Sequence, residues 1–190
     1  MKRLSLVLFI ILFPAICFAS LYFSPFGFTV NIPNKWEVVN SKKVMEDRGE
    51  ALTKVIKRFD FLPEKERQEV IRRLKNGEAE YWCHEGGGNV NIQKADGTTV
   101  LKRSQFGEFK KGLSKEYPGV ILHDIDLKKI GGCDAFYCEC SGVLYGFRSL
   151  IVQVQINPNE YLVVTLTGSD DRFEGLKKEF WNIMSTFKPF

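Results

Sequence analysis

The sequence predicts an α+β fold, with an antiparallel sheet of about six strands sandwiched by helices. Four strand-like segments follow one another between residues 120 and 167, and only short turn signals separate them. Strands joined by tight turns pair antiparallel, because a parallel pair needs a long crossover connection. Helical periodicity occurs before, between and after strand-like segments. The 190 residues, of which 44% are hydrophobic and 26% charged, fit a single globular domain.

The first half of the chain alternates short strands with helices. Residues 28–32 alternate apolar and polar side chains up to Pro33, which is typical of a half-buried strand. Pro63 suits the first turn of a helix, and the Asn76-Gly77 dipeptide is a common helix end. Gly49 weakens the helical pattern that surrounds it. We expect strands at 21–23, 28–32, 36–39, 79–84 and 90–92, and helices at 43–59, 63–77 and 106–117.

The second half reads as a run of strands followed by one helix. Gly131-Gly132 and the Asn157-Pro158-Asn159 segment are its clearest hairpin signals. Ser169 and Asp170 are residue types that cap helices, so we expect the final helix to begin after them. The strands are expected at 120–127, 135–145, 147–156 and 161–167. The final helix should bury Phe173, Leu176, Phe180, Ile183, Met184 and Phe187.

Residues 1–19 have the layout of a secretory signal peptide. A positive start is followed by an apolar run over residues 4–13 and by small residues before a cleavage site near Ala19. Cleavage would leave a periplasmic or secreted chain over 20–190 with no membrane span, whereas an uncleaved leader would act as an anchor. The net charge of +4 becomes 4 − 2 = +2 without Lys2 and Arg3. So small a charge, without a basic stripe, argues against nucleic acid as a partner.

Four cysteines would remain in the exported chain: Cys83, Cys133, Cys138 and Cys140. An even number in an oxidising compartment favours disulfides, and three pairings are possible. Cys138 and Cys140 share one strand face, where their side chains run parallel. We therefore expect one of them to bond Cys83, and the other to bond Cys133 or remain reduced. The alternative is that all four are buried thiols, which pack as small apolar groups.

Three segments together resemble the PsbP/DcrB-like superfamily. Residues 26–36 match its opening pattern of Gly-Phe, alternating apolar residues, proline and tryptophan. Residues 89–92 are similar to its central strand, and residues 161–167 with 180–187 to its closing strand and helix. The resemblance implies an antiparallel sheet between helices and a mostly non-enzymatic role, as in photosystem II, envelope and Ran-binding proteins. This chain departs from the pattern in a helical insertion near 63–77 and in its four cysteines.

No residue set in the sequence forms a recognisable catalytic, cofactor-binding or metal-binding motif. Cys83 and His84 are adjacent in a strand and should point to opposite faces, and the 123–126 segment offers few ligands on one face. The charged helix near 63–77 is either a solvated face or a docking surface. We expect an exported, non-enzymatic accessory protein that docks to a protein partner in the bacterial cell envelope. The alternatives are a thiol- or metal-dependent enzyme using Cys83, Cys138 or Cys140, and a carrier of small apolar ligands.

Overall fold

The computed structural model describes residues 19–47, 49–59, 62–98, 102–142 and 146–190. The strands are β1 (Ala19–Ser24), β2 (Phe28–Pro33), β3 (Trp36–Val39), β4 (Ala79–His84), β5 (Asn89–Asp96), β6 (Ile121–Ile130), β7 (Cys133–Ser141), β8 (Phe147–Asn157), β9 (Glu160–Ser169) and β10 (Lys188–Pro189). The α-helices are α1 (Ser41–Glu46), α2 (Glu50–Arg58), α3 (Glu64–Lys75), α4 (Phe106–Glu116) and α5 (Phe173–Met184).

The predicted α+β fold is confirmed, with a larger sheet than expected. Seven strands form one antiparallel sheet in the order β3-β4-β5-β9-β8-β7-β6. The expected count was about six, because the pattern of apolar residues does not show which short strands join which sheet. The run β6 to β9 is a meander of neighbouring hairpins. Gly131 and Gly132, both at positive φ, turn β6 into β7 as predicted.

The short strands near the two ends of the described chain form a second sheet. Its order is β1-β2-β10, and all its pairs are antiparallel. β2 lies in the middle and buries Phe28, Val30 and Ile32, so the predicted alternation within this strand is confirmed. β10 contributes two residues, directly after α5. This small sheet and α5 pack on one face of the large sheet.

The main core lies on that face of the large sheet. Trp82, Val90 and Leu166 from the large sheet pack with Phe28 of the small sheet and Phe180 of α5, and each is at most 1% exposed. Every residue predicted for the buried face of the final helix is buried. That helix does not use the predicted caps: Ser169 ends β9, the residue before the helix is Arg172, and no side chain caps it. Strand pairing of β9 with β8 extends to Ser169 and overrides the local capping preference.

A second core lies on the opposite face, under α1, α2 and α3. Val39, Val55, Leu74 and Tyr81 meet there. The helix expected over 43–59 is divided into α1 and α2 at Gly49, whose φ of 91° is left-handed. Gly77, at φ 72°, follows α3, as the Asn76-Gly77 signal predicted. α4 covers the far end of the same face, where Phe106 and Phe109 contact the ring of Phe136 on β7.

Candidate functional site

The glycine-rich turn 86–88 connects β4 to β5 and lies against the start of α5. Gly87 and Gly88 have φ of 90° and 87°, a conformation that favours glycine. A Cβ at Gly88 would lie 2.6 Å from Cδ1 of Leu176, and one at Gly168 would lie 2.5 Å from the same atom. Glycine at these two positions therefore lets α5 approach the end of the sheet closely.

Two cavities lie on either side of this hairpin. The first, of about 300 Å³, is bounded by the hairpin, Phe147 at the start of β8, Thr167 and Ser169 at the end of β9, and Arg172. The second, of about 330 Å³, is bounded by His84, Gly86, Arg172, Glu179 and the first turns of α5. Arg172 and Gly86 line both cavities, and the Arg172 guanidinium donates to the Gly86 carbonyl. The first cavity is lined by glycines, by Phe147 and by a few polar side chains, so the carrier of small apolar ligands stays an alternative.

His84 and Glu179 form a polar wall of the second cavity. Nδ1 of His84 accepts a hydrogen bond from the Gly86 amide at 3.0 Å, and Nε2 lies 3.4 Å from Oε2 of Glu179. Glu179 also accepts from Nζ of Lys35 at 2.8 Å and from Nε1 of Trp36 at 3.2 Å. Burial acts to raise the pKa of Glu179, but these two hydrogen bonds and the Lys35 charge hold the pKa below its usual value. The ring of His84 is thus oriented by its neighbours at both nitrogens.

A buried carboxyl, Glu80, joins the small sheet to the large one. Its Oε2 accepts from the hydroxyls of Tyr22 at 2.8 Å and Ser24 at 3.1 Å, and its Oε1 accepts from Nε1 of Trp82 at 3.0 Å. Asn40 in turn donates to the Tyr22 hydroxyl at 3.0 Å. Burial raises the pKa of Glu80 to about 7, although the three hydrogen bonds act to lower it. The side chain is fully buried, and all the partners named here are neutral groups.

Glu139 is a second buried carboxylate, and here cations surround it. It accepts from Arg148 on β8 and from Nζ of Lys177 on α5 at 2.7 Å. Glu174 completes the cluster, with Oε1 3.0 Å from Arg148 and Oε2 3.2 Å from Lys177. The Arg148 guanidinium lies 4.7 Å from the centre of the Phe173 ring. This arrangement fastens the start of α5 to β7 and β8.

Neither buried carboxylate is predicted as a site residue from the sequence. Each one interrupts a strand whose other members are mostly buried: Glu80 in β4 and Glu139 in β7. A charged residue inside such a strand was the available signal. The partners of the two carboxylates lie far away in the sequence: Tyr22 bonds Glu80, and Lys177 bonds Glu139. The sequence alone could therefore not identify these partners.

The strand order separates the cysteines that the hypothesis of a thiol-dependent enzyme relies on. Cys83 lies on β4 and Cys138 and Cys140 on β7, four strand spacings or about 19 Å away across the sheet. Burial raises the pKa of Cys138 to about 12 and also raises that of Cys140. A nucleophilic thiol needs the opposite shift, toward a lower pKa. The three residues therefore do not form one thiol site.

The same separation corrects the expected disulfide pairing. A disulfide needs Cα atoms within about 7 Å, so Cys83 cannot bond Cys138 or Cys140 in this fold. Cys138 and Cys140 share a face of β7, as predicted, and oppose Ile151 and Ser149 on β8. Cys133 lies on the other face of β7, opposite Ile130. No disulfide joins these four residues in the described part of the chain, and oxidation of the exported protein stays a prediction.

The other residues considered as metal ligands are held apart in separate contacts. Cys83 belongs to the core under the helices, while His84 contacts Trp36 on the opposite face, as strand alternation predicts. His123 Nε2 lies 2.8 Å from Oγ of Ser141, and Asp126 pairs with Arg103 at 2.6 Å. Within the residues that the structure describes, no three histidine, cysteine or acidic side chains are grouped so that they could hold a metal ion.

The charged helix expected near 63–77 is present as α3. Its buried side follows Leu74, with Val70 and Ile71 packed against the second core. Its charges pair along the helix: Glu69 accepts from Arg72 and Arg73, and burial is slight enough that these bonds lower the pKa of Glu69 to about 2. The pairing fits a solvated face, and docking through α3 stays a prediction.

The expected signal peptide over 1–19 lies outside the described residues except for Ala19, which begins β1. Among the helices that the structure describes, none combines the length and the apolar character that crossing a bilayer requires.

Several solved structures share this fold at low sequence identity. Cyanobacterial PsbP from Synechocystis sp. PCC 6803 superposes with a TM-score of 0.52 at 14% identity, over 92% of this chain and 94% of that protein. LpqN of Mycobacterium tuberculosis, described as involved in cell envelope biogenesis, superposes with a TM-score of 0.51 at 14% identity. The match covers 90% of this chain and 89% of LpqN. The Saccharomyces cerevisiae Ran-binding protein Mog1p superposes with a TM-score of 0.51 at 6% identity, over 90% of this chain and 95% of Mog1p.

The chain therefore has a PsbP/DcrB-like fold, as the sequence resemblance implied. At identities this low the match concerns the fold and carries no functional residue across. No protein-family model matches the sequence, and no curated protein does.

Proposed function

We propose that this chain is an exported, non-enzymatic accessory protein that binds a protein partner in the bacterial cell envelope. The observation that carries the proposal is the pair of cavities that flank the β4–β5 hairpin. Both recesses and the exposed Arg172 side chain, which borders each of them, lie at the same end of the domain. Recesses formed by fixed glycines, apolar surface and a few polar groups suit side chains of a protein partner, because the backbone donors and acceptors there are already positioned.

Two observations, one beside the cavities and one on β7, support binding over catalysis. The two ring nitrogens of His84 face the Gly86 amide and Glu179, so the ring is held as a wall of the recess. The raised pKa values of Cys138 and Cys140 work against thiolate formation. The envelope location rests on the signal-like residues 1–19 and on the likeness to LpqN and PsbP, and it is a proposal with the rest.

A site-specific photocrosslinking experiment in intact cells tests the proposed docking end. A photoreactive side chain is placed at Glu85 or at Asp171, which are exposed next to the two cavities. Lys65 on α3 and Lys111 on α4 are equally exposed and serve as matched positions elsewhere. We expect one stoichiometric protein partner to be captured from positions 85 and 171 and not from 111.

The outcomes separate the candidate surfaces. Capture of the partner from position 65 would transfer the docking role to α3. Repeated failure to capture any protein from all four positions would count heavily against an accessory role. Export is tested separately, by the amino-terminal sequence of the protein recovered outside the cytoplasm, since an uncleaved chain would contradict the predicted cleavage near Ala19.

A further inference from the structure

The edge of the small sheet differs from the other strand edges that the structure describes. β1 pairs with β2 through six consecutive residues without a register shift, and no described strand pairs with its other side. In an antiparallel strand every second residue turns its N–H and C=O groups toward the same neighbour. The remaining backbone groups of β1 therefore face outward, away from β2.

Charged residues and irregular backbone protect the other edges but not β1. β6, at one edge of the large sheet, has a bulge between Leu122 and Asp124 and carries charges along its length. β3 is four residues long, and β10 is two residues long and contains Pro189. Bulges, short lengths, proline and charge are the features that prevent edge-to-edge pairing. β1 has six residues and none of these features.

The outward side chains of β1 form an exposed apolar patch with the end of the chain. Leu21 is 58% exposed and Phe23 64% exposed, and Phe190 beside them is 76% exposed. The ring centres of Phe23 and Phe190 are 6.4 Å apart. Contiguous exposed apolar side chains usually mark an interaction surface.

The inward side chains of β1 hold the strand in place. Tyr22 and Ser24 both donate to the buried Glu80 on β4. The edge is therefore presented in a fixed conformation, which lowers the entropic cost of pairing with it.

We propose that two copies of this chain associate through antiparallel pairing of β1 with β1 about a two-fold axis. About such an axis β1 of one copy pairs with β1 of the other, so a charged residue in β1 would lie close to the same charge in the second copy and oppose pairing. Lys188 is the one charged residue in the three strands of the small sheet, and β1 itself has none. Pairing would join the two small sheets into one of six strands and bring Leu21 and Phe23 of one copy beside those of the other. None of the β1 residues lines either cavity beside the β4–β5 hairpin, so the two proposals are tested independently.

Sedimentation equilibrium of the protein exported under its own leader tests the association. We expect the mass to rise from one chain to two across the micromolar range. The double variant Leu21→Glu/Phe23→Glu should weaken dimerisation roughly 100-fold or more, because it replaces apolar contacts across the seam with like charges that face each other. Ile121→Glu is the matched control: Ile121 is 59% exposed at the start of β6, and its replacement should leave the dimer unchanged.

Hydrogen exchange of the unaltered protein tests the strand pairing itself. Every second amide of β1 should become protected as the protein concentration rises. A photoreactive side chain at Leu21 should produce, in intact cells, a crosslinked species of twice the chain mass.

Three results would overturn the proposal. They are a single-chain mass at every concentration, a dimer that survives the double variant, and β1 amides that stay unprotected in the dimer. Capture of a different protein from position 21 would likewise assign the β1 edge to that protein and not to a second copy. The hydrogen-exchange measurement remains decisive even if the double variant fails to fold.

Discussion

Replacing Glu80 with glutamine should stabilise the protein at alkaline pH, although it alters a buried and fully hydrogen-bonded side chain. Burial raises the pKa of Glu80 from 4.5 to about 7 in the folded chain. A pKa difference of that size corresponds to about 3 kcal/mol of unfolding free energy, at about 1.4 kcal/mol per pH unit. The magnitude is large because the partners of the carboxyl are the neutral Tyr22, Ser24 and Trp82 side chains.

The direction follows from proton binding in the two states. Below about pH 4.5 the carboxyl of Glu80 is protonated in both the folded and the unfolded chain. Between that pH and about 7 the folded chain keeps a proton that the unfolded chain has lost, so the unfolding free energy falls as pH rises. Glutamine stays neutral at every pH. Its amide oxygen can accept from Nε1 of Trp82, and its NH2 group can donate to the hydroxyl oxygens of Tyr22 and Ser24, which then act as acceptors.

Urea unfolding of both proteins at about pH 5 and about pH 8 provides the measurement. Between these two pH values, the unfolding free energy of the wild-type protein should fall by about 2–3 kcal/mol more than that of Glu80→Gln. Glu37→Gln is the control, because hydrogen bonding to Lys43 lowers the pKa of Glu37 and its removal should bring no gain at high pH. Parallel pH profiles for the wild type and Glu80→Gln, or a variant less stable at the higher pH, would refute the reasoning.

Three further predictions concern packing and the cysteines. Phe180→Ala should lower the unfolding free energy by about 3–5 kcal/mol in the same urea assay, since the ring is fully buried; a loss below about 1 kcal/mol would contradict its place in the core. Gly131→Ala places a Cβ 2.4 Å from the carbonyl oxygen of Phe187, so it should lower the melting temperature clearly more than Gly132→Ala, which has open space; equal effects would show that the close approach is absent. Peptide mapping of the unreduced, exported protein should find no disulfide between Cys83 and Cys138 or Cys140. Such a disulfide would contradict the strand order.

The main features of the local structure could be predicted from the sequence because short-range rules govern them. Alternation within residues 28–32 predicted the buried strand β2, and the spacing from Phe173 to Met184 predicted the buried face of the last helix. Phe187, predicted for the same face, is buried just after the helix ends. Opposite faces for Cys83 and His84 followed from strand geometry alone. Residue order in 26–36, 89–92, 161–167 and 180–187 together suggested the PsbP/DcrB-like fold, which the structure shows.

The partners of the site residues required the tertiary structure. The cavity walls join the β4–β5 hairpin to Phe147, Thr167 and Arg172, which are distant along the chain. Their meeting depends on β9 lying between β5 and β8, a strand order that hydrophobic patterning does not encode. The expected cap at Ser169 failed for the same kind of reason, because pairing along the sheet outweighed a local preference.

The sequence by itself determined which faces of each strand and helix are apolar, and therefore the α+β class and most element positions. Only the tertiary structure decided that four strand spacings separate Cys83 from Cys138, which excludes their expected bond. It also decided that Tyr22 and Ser24 meet Glu80. The physical reason is that side-chain periodicity is a property of neighbouring residues, whereas strand order and burial of a charge depend on contacts between segments far apart in the chain.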